Sequence, residues 1–260
     1  MNIVVCIKQV PNTNEVKLDP VTGTLIRDGV PSIMNPDDKA GLEAALRLKD
    51  SMGAHVTVVS MGPMQADAVL REAMAMGADD AYLISDRAFG GADTLATSTT
   101  IAAAIKKIPY DLIITGRQAI DGDTAQVGPQ IAEHLNIPNV SYAEDIQVEG
   151  DTVTVKRQYE ERYHTVKVKM PCLITALSEL NQPRYMTPGG IFDAYREKTV
   201  TVWTVNDIEV DMDKIGLKGS PTRVFQSFPK SLKAAGTVVT LDGEEAADYM
   251  LEKLREKFII

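Results

Sequence analysis

Between Met1 and about Val140, short apolar runs take turns with longer stretches in which apolar residues recur every three or four positions. The runs NIVVCI (2–7), HVTVVSMG (55–62), DAYLISD (80–86) and DLIIT (111–115) are continuous enough to mark strands covered on both faces. NPDDKAGLEAALRLKDSMG (35–53) is predicted helical. Asn35 stands at its cap, Pro36 at its first position and Asp37 and Asp38 in its first turn; Leu42, Ala45, Leu46 and Met52 form the apolar side, and Gly53 ends it. QADAVLREAMAMG (65–77), closed by Gly77, and DTLATSTTIAAAIKKI (93–108), capped by Asp93, are further helices, as is QIAEHLNI (130–137). EVKLDPVTGTLI (15–26) reads as a β-hairpin arm turning at Pro20 and Gly23.

Strand–helix alternation with continuously apolar strands predicts an α/β fold, a Rossmann-like doubly wound parallel sheet. Right-handed crossovers bring the carboxyl ends of these strands to one rim, where open α/β sheets bind ligands near a switch in strand order. From Ser141 the texture changes. VTVKRQYEERYHTVKVKM (153–170) reads as a hairpin, MPCLITAL (170–177) and TVTVW (199–203) as strands, and the Pro- and Gly-rich NQPRYMTPGGIFDAYREK (181–198) as a loop region between them. Residues 206 to about 237 lack periodicity and look like an extended arm, followed by an amphipathic helix capped by Asp242. The expected division is therefore a nucleotide-binding domain with its hairpin extension over 1–205 and a C-terminal arm and helix over 206–260. Such an arm either embraces another subunit or packs on its own domain.

The 260 residues, 44% of them apolar, are enough for a sizeable core, and a net charge of −9 argues against nucleic acid as a partner. The two cysteines, Cys6 and Cys172, lie inside apolar runs, which suits a reducing compartment. With no run near the roughly 20 apolar residues of a membrane span, and no signal-peptide pattern at the N-terminus, a soluble cytoplasmic protein is expected, without membrane insertion.

No GxGxxG, P-loop or GxSxG motif occurs, and His55, His134 and His164 are scattered, so no metal centre and no catalytic acid, base or nucleophile is expected. A cofactor would have to carry any chemistry. The loops that favour one are NPDD, SMGP, GGADTLAT and, longest, GRQAIDGDTAQVGP (116–129). Taken singly each is ordinary helix capping; four on one rim favour a nucleotide. The last carries Asp121 and Asp123 against a single cation, Arg117, which raises the question of how an acidic loop holds an anion. Backbone N–H groups of Asp123 to Val127 would hold a diphosphate, with Asp123 as the helix cap, Asp121 capping the turn or binding ribose, Gly122 permitting close approach, and Pro129 disturbing the first helical turns.

Several long stretches in order resemble the β subunit of electron-transfer flavoproteins: VVCIKQV, MNPDDKAGLEAALRLK, VVSMGP, AMGADDAYLI, GRQAIDGDTAQVGPQIA, VKRQYEERYHTVKVKMPCLITA and LNQPRYMTPGGI. The resemblance covers nearly the whole chain. It implies a heterodimer with an α subunit that holds a FAD, and a β subunit that binds a second adenine nucleotide. That nucleotide is structural AMP in the respiratory type. In the electron-bifurcating type it is a second FAD, which takes hydride from NADH and passes electrons to an acyl-CoA dehydrogenase, through the α-subunit FAD, and to ferredoxin or flavodoxin.

Carried over by position, the resemblance implies a cofactor site of Cys6, Asn35, Asp37, Asp38 and Met61 with Gly116, Arg117, Gln118, Ala119, Ile120, Asp121, Gly122, Asp123, Thr124, Ala125, Gln126 and Val127. Thr94 and Thr97, one turn apart, either face a flavin or serve ordinary packing. DGDTAQVGP and FGGADTLATS are similar to the bifurcating and nitrogen-fixation-associated types rather than to the AMP type. LNQPRYMTPGGIFDAYREK resembles the loop that docks the dehydrogenase. Its partner-binding residues would be Arg184, Tyr185, Pro188, Gly189, Gly190, Ile191 and Phe192, with Pro188 where the AMP type has an anchoring leucine and Ile191 and Phe192 as the nearest apolar substitutes. The competing readings are an AMP-type electron carrier, a nucleotide-binding sensor resembling universal stress proteins, and an ATP-pyrophosphatase. CIKQVPN lacks the SGGxDS-like loop that the last requires.

Overall fold

The computed structural model describes residues 1–12, 31–222, 225 and 236–260. The chain divides into two units, Met1–Phe225 and Gln226–Ile260. The first is built on a nine-stranded sheet. Its parallel part contains β1 (Asn2–Cys6), β4 (His55–Met61), β5 (Asp80–Ile84), β6 (Leu112–Gly116), β7 (Asn139–Glu149), β10 (Cys172–Ala176) and β11 (Val200–Trp203). The hairpin strands β8 (Thr152–Tyr159) and β9 (Arg162–Lys169) extend it antiparallel from β7. The order is β11-β5-β4-β1-β6-β10-β7-β8-β9. The chain runs outward from β1 to β4 and β5, then returns to place β6 on the other side of β1. That reversal at the β1–β6 pair is the switch point.

Two apolar layers cover the sheet. One joins Ile3, Val5, Val58 and Ile114 to Leu42 and Leu46 of α1 (Pro36–Met52), Leu70 and Ala73 of α2 (Asp67–Met76) and Ala194 of α5 (Pro188–Arg196). The other joins Val4, Val59 and Ile113 to Ile101 and Ile105 of α3 (Thr94–Ile105) and Ile131 of α4 (Val127–Leu135). This is the doubly wound α/β architecture the pattern predicts. β2 (Gln9–Pro11) and β3 (Ser32–Met34) pair antiparallel just beyond the end of β1. The hairpin arm expected at 15–26 lies outside the described residues.

Three differences from the sequence expectation have physical causes. β7 escapes pattern reading because its inward residue Ala143 is out of step with Val140 before it and with Ile146 and Val148 after it. Register shifts on both sides of Ala143, one between Val140 and Ala143 with Tyr142 at φ 62 and one between Ala143 and Asp145, each move the period by one. Pro188-Gly189-Gly190 does not break the chain but starts α5: Thr187 Oγ1 accepts the Gly190 N–H at 3.0 Å and Pro188 takes the first helical position. Finally, the division falls at 225/226 instead of 205/206, because Ile208 and Ile215 are buried in the α3–α4 layer. In the second unit, α6 (Gly243–Glu256) is capped by Asp242, whose carboxylate accepts from the Glu244 and Glu245 N–H groups. Among the described residues no helix is long and apolar enough to cross a membrane.

Candidate functional site

At the switch point, the carboxyl ends of β1 and β6 are joined through the first turn of α1. The Asp38 carboxylate accepts the backbone N–H of Lys8 at 2.8 Å and of Gly116 at 3.0 Å. Asp38 is buried, and burial lifts its pKa to about 7 against those hydrogen bonds. Gly116 is required here, since a Cβ on it would lie 2.2 Å from Asp38 Oδ1. Asp37 accepts the Ser178 N–H at 3.1 Å and lies 3.4 Å from Arg117 Nε; burial raises its pKa, opposed by the Arg117 charge. Asn35 holds the cap position of α1 without capping it. Its buried side chain instead donates to Gln118 O at 2.8 Å and accepts the Ile120 N–H at 3.1 Å. The cap of one helix is thus spent on pinning the long loop that leads to another.

That loop, Gly116 to Gln126, has a second fastening that sequence reasoning missed. Lys8 Nζ reaches both Asp121 oxygens, at 2.7 and 2.9 Å, so Asp121 neither caps the turn nor has an oxygen free of this bond. The lone basic residue of CIKQV was the available signal. Asp123 is not the helix cap either. The cap position is Gln126, and Asp123 accepts from Gln118 Nε2 at 2.9 Å. Left-handed backbone falls at Asp123 (φ 48) and Ala125 (φ 52), not at Gly122, whose surroundings are open. Pro129 does not disturb α4, because it lies in the first turn, where an N–H has no intrahelical acceptor.

Among the described residues, the backbone N–H groups of Thr124, Ala125 and Gln126 have no acceptor. Ala125 in the left-handed region followed by Gln126 in the helical region gives the concave arrangement of N–H groups that takes up anions, and α4 begins directly behind it. This donor set suits a diphosphate. Thr94, at the start of α3, donates to Gln126 Oε1 at 2.8 Å and so joins the same rim, whereas Thr97 one turn further is half-buried and makes no such link. Met61 ends β4 and packs on the α3–α4 layer. The Cys6 thiol is buried, and burial, with Asp38 alongside, pushes its pKa to about 12, which keeps it protonated at neutral pH.

The residues 181–196 form a separate surface. Arg184 donates to the buried Glu43 of α1 through its backbone N–H (3.1 Å), Nε (2.9 Å) and Nη2 (3.3 Å), and to Asp50 at 2.8 Å. These partners hold the Arg184 pKa up and the Glu43 carboxyl below its usual range despite burial. Beyond this anchor Tyr185 and Phe192 are exposed, and Met186, Ile191 and Tyr195 line a groove with Ala68 and Glu72 of α2. Gly190 lets α5 close on α2, as a Cβ there would lie 2.3 Å from Ala75 O. Pro188 and Gly189 occupy the helix start.

A family model described as the electron transfer flavoprotein domain matches residues 22–208. The chain is 61% identical to the electron transfer flavoprotein subunit beta of Clostridium acetobutylicum, with both chains covered in full. The chain belongs to the electron transfer flavoprotein family, as a β subunit. Other members of this family lie close. The caffeyl-CoA reductase-Etf complex subunit CarD of Acetobacterium woodii is 56% identical, and the acryloyl-CoA reductase electron transfer subunit gamma of Anaerotignum propionicum is 48% identical, again over the full length of each chain. The pinned loop between β6 and α4 therefore belongs to an electron transfer flavoprotein domain, the match to which ends at the buried Ile208.

Proposed function

We propose that this chain is the β subunit of a cytoplasmic, heterodimeric electron transfer flavoprotein of the electron-bifurcating type, with FAD at the β1–β6 rim. The observation that carries the reading is the loop Gly116–Gln126, clamped by Asn35 and Lys8, in which the N–H groups of Thr124 to Gln126 have no acceptor among the described residues and suit a diphosphate. FAD supplies two-electron acceptance from NADH and one-electron release, which no side chain of this site provides. The chain's own part is to bind and orient. The α4 N-terminus and its loop take the diphosphate, Gly116 keeps the rim narrow, and Arg117 and Lys8 neutralise the carboxylates around it.

One electron would leave through the α-subunit FAD to an acyl-CoA dehydrogenase, the other to ferredoxin or flavodoxin. The names of the caffeyl-CoA and acryloyl-CoA reductase relatives support a partner acting on CoA thioesters. The exposed Tyr185, Ile191 and Phe192 surface, held by Arg184, offers apolar anchors for it. The second unit, Gln226–Ile260, would supply the arm that embraces the α subunit. The test is to co-purify the chain with its α subunit, denature the complex and count released nucleotides. Two FAD per heterodimer, with flavin absorbance bleached by NADH, supports the reading; one FAD and one AMP refutes it.

A further inference from the structure

The loop that would face the diphosphate is acidic, yet one lysine at the end of β1 changes its electrostatics. Lys8 is fixed at both backbone atoms: its N–H donates to Asp38 and its carbonyl accepts the Asn35 N–H at 2.9 Å. From that frame its side chain crosses to the loop and bonds both oxygens of Asp121. The Asp121 side chain is only 9% exposed, whereas that of Lys8 is 43% exposed. Asp121 lies between Ile120, whose N–H is held by Asn35, and Asp123, where the backbone turns left-handed before the free N–H groups. A nearly buried carboxylate without a counter-charge would repel any anion bound there and seek water by opening the loop.

Resting on the nucleotide reading above, we propose that Lys8 is a positioning residue for that site: it cancels and clamps Asp121, so that the loop presents its N–H groups to the diphosphate. Lys8 acts through Asp121 and not by touching the phosphate. A cycle of Lys8→Met, Asp121→Asn and the double variant separates these roles. Binding of AMP and of FAD to the full-length chain is measured by titration calorimetry.

Lys8→Met is expected to weaken binding about tenfold or more, and the double variant to regain most of that loss, because the repelling carboxylate is gone. Lys8→Arg, which keeps the pair, should stay within a few-fold of the parent and covers the case in which Lys8→Met does not fold. A double variant as weak as Lys8→Met would mean direct phosphate contact and overturn the proposal. So would unchanged affinity in Lys8→Met, or a Lys8→Arg chain that folds like the parent but binds about tenfold more weakly. A parent chain that binds neither AMP nor FAD would instead defeat the nucleotide reading, and this inference with it.

Discussion

Replacing Gly116 by alanine tests whether the rim is built on close approach of β6 to α1. A Cβ at this position would stand 2.2 Å from Asp38 Oδ1, 2.8 Å from Asp38 N and 2.9 Å from Asp37 Cβ. This wall cannot swing away as a flexible side chain would. Two of the three atoms are rigid parts of the first turn of α1, and Asp38 is held by the Lys8 N–H while Leu42 behind it is fully buried. Forcing a methyl into a packed site costs about 1–3 kcal/mol. Pushing the Asp38 carboxylate off the Gly116 N–H loses a charge-assisted bond of about 1.5–3 kcal/mol. Together they predict a loss of about 3–5 kcal/mol, or roughly 10 °C in Tm for a unit of this size. Urea unfolding of the full-length chain, followed by circular dichroism, reads this directly. Gly122→Ala is the internal control: nothing lies within 4 Å of its Cβ and its φ is outside the left-handed region, so its effect should stay within about 0.5 kcal/mol. A Gly116→Ala loss below about 1 kcal/mol, or equal losses for both variants, would refute the reasoning.

Asp38 predicts a pH dependence. Its folded pKa is raised to about 7, so its contribution to stability is fully present below the ordinary aspartate value of about 3.9 and is lost as pH rises through 7. Asp38→Asn should remove that fall in urea midpoint between about pH 4 and 7, and an unchanged slope would contradict it. Glu43 has the opposite sign: its lowered pKa gives stability above the ordinary glutamate range that is lost as pH falls through the folded value. Arg184→Met should therefore destabilise by about 2 kcal/mol at pH 7, discounted for a guanidinium one-third exposed, and by less in acid. An equal loss at both pH values would argue against the ion pair. Ile191→Asp should weaken electron transfer to the dehydrogenase while released flavin stays unchanged, and unaltered coupling would remove Ile191 from the docking surface.

Much of the site was legible in the chain because its parts are local. Asn35, Pro36, Asp37 and Asp38 announce a helix start, and the run DLIIT before GRQAIDGDTAQVGP announces a strand leading into a loop and helix. Local pattern failed where a residue's partner is distant in sequence. Asn35 looks like a cap, but its amide meets Gln118 and Ile120. Asp121 and Asp123 look like free or capping carboxylates, but Lys8 and Gln118 take them. β7 was hidden because a bulge breaks its alternation, and α5 because Pro-Gly-Gly reads as a break unless Thr187 is seen to cap it.

By itself the sequence determined the alternation of strands and helices, the rim on which their loops converge, and the family, since each depends on neighbours along the chain or on motifs in order. Only the tertiary structure decided that β10 enters the sheet between β6 and β7, that Gly116 must lack a side chain, and that one lysine offsets the acid of the loop. These depend on which distant segments come within a few ångströms. That proximity is set by the strand order and by packing across the two apolar layers, neither of which any local pattern encodes.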